Sequence, residues 1–366
     1  LPYETPLTFT YDCGEFEAVL DKTLAKAAYD GFAKRRLQSE ALGRLRGIGV
    51  SCTIARAAAA QLETAELRFD PSGDATILIG TTPHGQGHET IYKQIVCGTL
   101  GLDPGRVRVI EFDTEAVSFG TGTGGSRTAT IGSAAVLCAM EKVISKTKKI
   151  AAHAMEVAEA DVSFEEGQFT IVGTDRTMPF LDVVALAFDP LNLPASIEPT
   201  LAELASYAPE VENFPNGCHI VEVEITPGTG EISLDRYSVG DDCGTELNPL
   251  LVKGQVHGGI AQGVGQALME NMVYERGSGQ LLSGSFMDYS MPRAGDLCDY
   301  DVAAQPVPTA TNPLGVKGVG EAGTVGALAA VMNAINNALS PLGIEHLEMP
   351  ATSDRVWKAI DAAQPN

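Results

Sequence analysis

The sequence has no excess of positive charge and no long apolar run, and each absence argues against a class of protein. Its 366 residues include 47 acids against 25 bases, for a formal charge of −22. A chain this acidic repels polyanions, so we expect neither nucleic acid nor anionic lipid as a partner. No uninterrupted apolar run reaches the roughly 18 residues that a membrane-crossing helix needs, so no membrane span is expected.

The sequence also lacks closely spaced cysteine pairs. Its seven cysteines are scattered, odd in number and without a CxxC motif, a usage typical of a reducing compartment. No basic segment followed by an apolar one is visible at the start of the chain, so no secretory signal is expected. With hydrophobic residues at 44%, the composition predicts a globular, cytoplasmic protein.

Two stretches of the chain show the same succession of predicted elements, a β-hairpin followed by a glycine-bearing loop that opens a helix. Strands over 65–70 and 75–79 flank a Pro-Ser-Gly-Asp turn in the first stretch, and strands over 221–225 and 232–239 flank a Thr-Pro-Gly-Thr-Gly turn in the second. This repetition predicts an internal duplication and an α+β fold, with two similar lobes of mixed sheet and helices.

The predicted boundaries are a helical lead-in over 1–45, a first lobe over 46–215 and a second lobe over 216–366. Gly43 and Gly47 are expected to end the lead-in helix. Hydrophobic periodicity predicts further elements, namely helices over 16–42, 89–100, 126–160, 249–270 and 351–363, and strands over 107–112, 162–172 and 300–304.

Glycine-flanked polar side chains concentrate in four loops, of which the heptapeptide KGVGEAG at 317–323 is the most informative. It precedes the apolar stretch 324–339 and displays one carboxylate, Glu321, at a helix N-terminus. It also fits GxGxxG, but the prolines of 306–313 argue against the buried strand that a dinucleotide fingerprint follows. Glu321 is then either a general base or a carboxylate that only favours the helix dipole, worth about 0.3–1 kcal/mol.

Two more loops each join a predicted strand to a helix N-terminus, where backbone N–H groups attract anions. The loop TTPHGQGHE at 81–89 carries His84 and His88, which could bind a metal only on a continuous helix that its glycines disfavour; the alternative is that they cap the helix. The loop GTGTGGSR at 120–127 is similar to a phosphate cradle, in which Ser126 caps the helix and Arg127 forks onto phosphate oxygens. A flexible turn with a surface arginine is the alternative.

The remaining segment, 241–266, places many small residues inside a predicted helix. Each glycine there lowers helix propensity by up to about 1 kcal/mol. Close approach of the backbone to a ligand or to another helix would offset that cost. Gln255 and Gln262 offer amide groups suited to the edge of a heterocycle. The alternative is glycine-mediated helix packing with solvent-facing glutamines.

Five ordered motifs, HGQGHET, GTGTGGSR, DDCGTELNPLLVKGQVHGGIAQGVGQAL, GSFMDYSMP and KGVGEAG, carry a family resemblance. They resemble the molybdenum-cofactor-binding large subunit of the xanthine oxidase family, and within it the large chains of aerobic carbon monoxide dehydrogenases. The resemblance implies molybdopterin cytosine dinucleotide with molybdenum as the cofactor. The pterin dithiolene would hold the metal, so no protein metal ligands are expected.

The resemblance also implies residue roles. The family's catalytic base, which activates the nucleophile at molybdenum, corresponds to Glu321, and the glutamine near the metal corresponds to Gln86. Residues expected to contact the cofactor lie in the same motifs: Gly85, Gly87, Gly124, Gly125, Ser126, Arg127, Gln255 and Gly320.

Family large subunits begin with another long region, which bears a Phe loop and a substrate-facing loop, and neither is found in this sequence. The chain therefore resembles a C-terminal half, expected to be inactive alone. The implied partners are the missing N-terminal half, iron–sulfur and FAD-bearing subunits, and a small substrate such as carbon monoxide, in an oligomeric enzyme. Alternatives are an aldehyde or N-heterocycle hydroxylase, a noncatalytic cofactor-binding or assembly module, and a nicotinamide-dependent dehydrogenase.

Overall fold

The computed structural model describes residues 1–59 and 61–363. Its helices are α1 (Phe16–Lys26), α2 (Phe32–Ala41), α3 (His88–Leu100), α4 (Ser133–Ala154), α5 (Phe180–Leu186), α6 (Pro249–Leu268), α7 (Ala322–Leu339) and α8 (Ser353–Ala363). Its strands are β1 (Tyr3–Glu4), β2 (Thr10–Tyr11), β3 (Leu45–Ile54), β4 (Glu63–Phe69), β5 (Ala75–Ile79), β6 (Val107–Glu111), β7 (Val162–Glu165), β8 (Gln168–Ile171), β9 (Thr177–Pro179), β10 (Ala202–Tyr207), β11 (Asn216–Thr226), β12 (Glu231–Asp242) and β13 (Tyr300–Ala304).

These elements form two compact units, each assembled from separate stretches of chain. Unit 1 comprises Leu1–Arg56, Phe214–Thr309 and the chain from Val319 onward, and unit 2 comprises Ala57–Asn213 and Ala310–Gly318. The units group residues differently from the consecutive lobes predicted above. The boundaries of those lobes stay a prediction.

Unit 1 is built around a four-stranded sheet in the order β13-β12-β11-β3. The hairpin β11–β12 is antiparallel, β13 joins β12 in parallel, and β3 closes the other edge antiparallel to β11. Alternate residues of β11 face opposite sides, so Cys218 and Ile220 pack with Val19 of α1 while Val221 and Val223 join the core formed with α6 and α7.

Helix α7 lies directly on the backbone of β3. A Cβ atom added at Gly47 would lie 2.0 Å from the carbonyl oxygen of Ala334, and one added at Gly49 would lie 2.0 Å from that of Ala330. Only glycine fits at such a distance. The expectation that Gly47 ends the lead-in helix is wrong, because this residue lies inside a strand.

Unit 2 repeats the plan of unit 1 in a second four-stranded sheet, ordered β10-β4-β5-β6. The hairpin β4–β5 is antiparallel, α3 leads to β6 parallel with β5, and β10 closes the edge antiparallel to β4. Helix α4 packs on β4 and β10. The shared order of hairpin, helix, parallel strand and second long helix confirms both the α+β class and the predicted duplication.

Two helical segments, Thr128–Ala154 and Ala322–Leu342, are long and apolar enough to cross a membrane by length and composition alone. Both contain core helices, α4 and α7, whose buried faces account for their apolar composition. Helices of this kind are weak evidence for a membrane span.

Candidate functional site

The first glycine-flanked loop connects β5 to α3 through two residues with positive φ. Gly85 has φ +96°, and Gly87, at +83°, is the N-cap of α3. Gln86 is half-buried and folds back onto its own loop, where its Nε2 lies 2.9 Å from Nδ1 of His84 and its Oε1 accepts the His84 backbone N–H. The predicted glutamine therefore contacts His84 of its own loop.

The histidines of this loop do not converge. His84 is exposed and contacts Gln86, whereas the buried His88 places its Nδ1 2.9 Å from Oε1 of Glu111 on β6. Thr81 also donates to that carboxylate oxygen at 2.9 Å. Within 1–59 and 61–363, no group of three His, Cys, Asp or Glu side chains could hold a metal ion.

The first and second loops are packed backbone to backbone. A Cβ atom at Gly80 would lie 2.1 Å from the Cα of Gly120, and the N–H of Gly122 donates to the carbonyl of Gly80 at 3.1 Å. The Thr82 N–H donates to Oγ1 of Thr123 at 3.0 Å. Unit 2 therefore brings together two motifs that lie about 40 residues apart in the sequence.

Arg127 braces the second loop from beneath. Its side chain is 3% exposed. Nη1 donates to Oε2 of Glu63 at 2.9 Å and to the carbonyl of Gly122 at 2.5 Å, and Nη2 donates to the carbonyl of Leu62 at 3.2 Å. Three of the five guanidinium N–H groups are thus bonded to the protein, so the expected fork onto phosphate, for which Nε–H and one Nη2–H remain, stays a prediction. Nε is buried with no hydrogen-bond partner among the described residues.

Ser126 does not cap the long helix as expected. It adopts φ +52°, and a π-helical turn, Thr128–Gly132, precedes α4 with Arg127 as its N-cap. Thr123 and Thr128 place their hydroxyls 2.9 Å apart and so tie the loop to this turn. A π-helical turn is rare and often found at functional sites.

The start of the KGVGEAG motif also reaches this loop within unit 2. A Cβ at Gly318 would lie 2.6 Å from the Cβ of Ser126, and the Gly318 N–H donates to Oδ1 of Asn213 at 3.0 Å. The Ala58 N–H donates to the carbonyl of Gly125 at 3.0 Å. The GGSR backbone is therefore held from two sides.

Helix α6 of unit 1 contains both a glycine packed against another helix and a glycine that faces open space, the two possibilities that the sequence allowed. A Cβ at Gly259 would lie 2.9 Å from the backbone N of Thr324 in α7, whereas Gly258 has nothing within 4 Å. Oγ1 of Thr324 lies 3.4 Å from Oε1 of Gln262. Helix packing therefore explains Gly259 and Gln262, while Gly258 and the half-buried Gln255 leave open surface.

Glu321 is exposed at the start of α7, where it is the N-cap residue without a side-chain capping hydrogen bond. The preceding Gly320 is exposed as well. A Cβ at Gly323 would lie 2.4 Å from the carbonyl oxygen of Val256, the residue after Gln255. Unit 1 therefore places the beginning of α7, with its carboxylate, against the part of α6 that carries Gln255.

A buried polar cluster packed against α7, centred on His219, was not predicted from the sequence. The His219 ring is fully buried against Gly326, its Nδ1 lies 2.8 Å from the Tyr237 hydroxyl, and its Nε2 lies 4.0 Å from Oδ1 of Asp241. Burial lowers the pKa of His219 to about 3. Burial, together with the charge of Asp242, raises the pKa of Asp241 to about 7. The acidic pair at the end of β12 was the only sequence signal.

The glycine loops of unit 2 leave space for a bulky group beside their backbone. Added Cβ atoms at Gly85, Gly124 and Gly125 would meet nothing within 4 Å. Ser126, at φ +52°, is followed by Arg127 in the right-handed helical region, and such an alternation of hand is typical of anion-binding nests. Open backbone and the unpartnered Nε of Arg127 fit a pterin dinucleotide that carries a pyrophosphate.

Comparison with known proteins agrees with this chemistry. Residues 22–298 match the molybdopterin cofactor-binding domain family. The chain is 34% identical to the carbon monoxide dehydrogenase large chain of Hydrogenophaga pseudoflava, over 98% of this chain and 46% of that protein. It is 31% identical to the nicotine 6-hydroxylase large subunit of Paenarthrobacter nicotinovorans, over 98% and 46% respectively.

Solved structures give the same result. A Cu,Mo-CO dehydrogenase superposes with a TM-score of 0.92 at 30% identity, covering 99% of this chain and 47% of that one. Quinoline 2-oxidoreductase from Pseudomonas putida 86 superposes with a TM-score of 0.91 at 31% identity, covering 98% and 47%. The chain spans about half the length of these relatives. It belongs to the molybdopterin cofactor-binding domain family of the xanthine oxidase type of molybdenum enzymes, as its large-subunit motifs predicted.

Proposed function

We propose that this chain is the C-terminal part of a molybdenum hydroxylase large subunit that binds molybdopterin cytosine dinucleotide. The observation that carries the proposal is the joining of three separate motifs in unit 2, where the HGQG loop, the GGSR loop and Gly318 touch through their backbones. Close packing requires the glycines at these contacts, whereas Gly85, Gly124 and Gly125 have open space beside them, which a large anionic ligand lying on the backbone would occupy.

Each cofactor-binding residue has a role that its position supports. The open backbones of Gly85, Gly124 and Gly125 offer close approach, with Gly87 and Ser126 in the same two loops. Arg127 holds the second loop in place with Nε–H and one Nη2–H left to donate. Gln255, Gly320 and Gln86 offer amide and backbone edges. When bound, the molybdenum cofactor supplies the two-electron redox centre.

Glu321 is proposed as the general base for oxidation of carbon monoxide or a related small substrate. Its carboxylate is exposed at the N-terminus of α7 and makes no side-chain capping hydrogen bond there. The close contact of Gly323 with α6 holds the backbone from which the carboxylate projects. Its proposed task is to take up a proton from the nucleophile as the substrate is oxidised.

The proposed partner of this chain is the N-terminal half of the large subunit. One segment of unit 1 between α6 and β13 exposes many large apolar side chains: Met272 (52%), Val273 (40%), Tyr274 (54%), Leu282 (52%), Phe286 (86%), Met287 (93%) and Met291 (46%). We call residues 272–291 the apolar segment. Exposed apolar surface of this extent indicates a protein contact. Electron export to iron–sulfur and FAD-bearing subunits of an oligomeric enzyme completes the proposal.

A hydroxylase of N-heterocycles is the second candidate. The relatives named for nicotine and for quinoline are each 31% identical to this chain and each cover 98% of it. The carbon monoxide dehydrogenase large chain of Hydrogenophaga pseudoflava covers the same share. A direct assay of the complete enzyme with carbon monoxide, an aldehyde and quinoline discriminates among the substrate classes.

The experiment that tests the role of Glu321 is Glu321→Gln in the complete enzyme, compared with Glu348→Gln, an exposed glutamate outside the four loops. We expect Glu321→Gln to lower kcat by at least about a hundredfold, the lower range for a lost general base, with molybdenum content unchanged. The control should leave both unchanged. Turnover that survives Glu321→Gln would support a noncatalytic role for this residue.

A further inference from the structure

Cys52 and Cys218 lie opposite each other on neighbouring strands of unit 1. Strands β3 and β11 run antiparallel in a register that pairs these two residues. The N–H of Ala55 donates to the carbonyl of Pro215 at 2.9 Å, which marks that pair as hydrogen-bonded. Hydrogen-bonded and non-hydrogen-bonded pairs alternate along an antiparallel ladder, so Cys52 and Cys218 form a non-hydrogen-bonded pair.

This position brings two side chains as close as a sheet allows. In a non-hydrogen-bonded pair the Cα atoms are about 4.5 Å apart, within the roughly 4.4–6.8 Å that a disulfide spans. The two thiols interact through a hydrogen bond. Burial first, and then the charge of Cys52 and this hydrogen bond, raise the pKa of Cys218 to about 12. The backbone therefore holds both sulfurs where a bond between them requires little movement.

The pair is also reachable from solvent on one side only. Cys52 is exposed, whereas Cys218 is 1% exposed beneath α1. Cys52 lines a cavity of about 270 Å³ whose walls include Phe16, Val19 and Asn216. A small reagent can thus reach Cys52 first, and Cys218 only through Cys52.

We propose that Cys52 and Cys218 form a redox-active dithiol, which a low-molecular-weight disulfide converts into a cross-strand disulfide. The Cys52 thiolate attacks one sulfur of the small disulfide, whose S–S bond breaks to release one thiol and leave a mixed disulfide on Cys52. The Cys218 thiol loses its proton to solvent and attacks the Cys52 sulfur, displacing the second small thiol. The two cysteines lose two electrons and two protons, which the small disulfide gains as two thiols.

The link would join the edge strand β3 to β11, the two strands on which α7 packs. Gly47 and Gly49 of β3 contact α7 directly. The disulfide would therefore restrict movement of the strand on which α7 packs. The buried Cys218 thiol ionises reluctantly, so its attack is the slow step and the mixed disulfide on Cys52 forms first.

The test uses oxidised glutathione on the folded chain, followed by alkylation, digestion without reduction and mass mapping. We expect a peptide pair linked through Cys52 and Cys218, and a Tm several degrees above that of the reduced chain. Cys52→Ser, at an exposed position that does not endanger folding, should abolish both the linked peptide and the Tm shift. The control Cys138→Ser, a half-buried thiol of unit 2, should change neither.

Two outcomes overturn the proposal. One is a glutathione adduct that persists on Cys52 while Cys218 remains available to alkylation after unfolding. The other is a linked peptide that joins Cys52 to a different cysteine. Neither outcome depends on cofactor content or activity, so the test is independent of the proposed function.

Discussion

Nη1 of Arg127 lies 2.9 Å from Oε2 of Glu63, in an ion pair whose side chains are 3% and 0% exposed. The pair joins the GGSR loop to the first residue of β4, and so anchors a proposed cofactor loop to the sheet of unit 2. The pair therefore holds the loop in position on the sheet.

Glu63→Gln should destabilise the protein by about 3–5 kcal/mol, because it leaves the Arg127 charge buried without its counter-ion. The matched control is Glu66→Gln on the same strand, which breaks the exposed pair with Arg68 and should cost less than about 1 kcal/mol. Urea unfolding of both variants measures the difference. Equal free energies of unfolding for the two variants would contradict the assigned role of the buried pair.

Adjacent glycines of α6 should respond oppositely to alanine. Gly259→Ala places a Cβ 2.9 Å from the backbone of Thr324 and should destabilise by about 1–3 kcal/mol through overpacking. Gly258→Ala meets nothing within 4 Å and should stabilise the cofactor-free chain by up to about 1 kcal/mol through helix propensity. Thermal unfolding of the two variants provides the measurement, and a loss of stability in Gly258→Ala would show that its surface is not open.

Stability should depend on pH through Asp241 and His219 with opposite signs. The pKa of Asp241 is raised to about 7 by burial, so between about pH 4 and 7 the folded chain keeps a proton that the unfolded chain has released, and stability falls as pH rises. The pKa of His219 is lowered to about 3, so between about pH 3 and 6.5 this group makes stability rise with pH.

Asp241→Asn removes only the first of these contributions. The free energy of unfolding of this variant, minus that of the natural chain, should increase as the pH is raised from 4 to 8. The increase should be at most about 4 kcal/mol, because the pKa of Asp241 is raised by roughly three pKa units. Urea unfolding at both pH values provides the test, with the exposed Asp299→Asn as control. The same difference in free energy at pH 4 and pH 8 would mean that Asp241 ionises normally.

The apolar segment should be needed for association with the N-terminal half of the large subunit. Phe286→Ser with Met287→Ser replaces side chains that are 86% and 93% exposed, so the Tm of the isolated chain should stay unchanged while binding of that half, supplied as a separate chain, weakens at least tenfold. Leu191→Ser, at a residue 92% exposed in unit 2, is the matched control. Titration calorimetry measures both, and unchanged binding by the double variant would place the interface elsewhere.

Local signals predicted much of the fold. Both hairpins follow from turn residues between alternating strands, and α3, α6 and β13 begin or end within two residues of their predicted limits. The predicted lead-in helix is instead two helices, α1 and α2, with Ala28 at φ +47° between them. Alanine favours helices, so the residue type of Ala28 does not predict the break between α1 and α2.

Long-range contacts account for the remaining differences. Strand β3 was missed because Gly47 and Gly49 weaken its local strand pattern, although the approach of α7 requires them. The ion pair of Arg127 with Glu63 was missed because Glu63 lies in another element, and local sequence does not show that pairing. Glu321 is exposed, as the glycines at 320 and 323 led us to expect.

The most direct measurement is the molybdenum and nucleotide content of this chain, purified from a host that makes the cytosine form of the cofactor. Mass spectrometry gives the metal, and acid hydrolysis followed by chromatography identifies the nucleotide. We expect molybdenum and CMP in equal amounts, with one of each per chain. A folded chain that contains neither, or that contains a different nucleotide, would contradict the proposed cofactor.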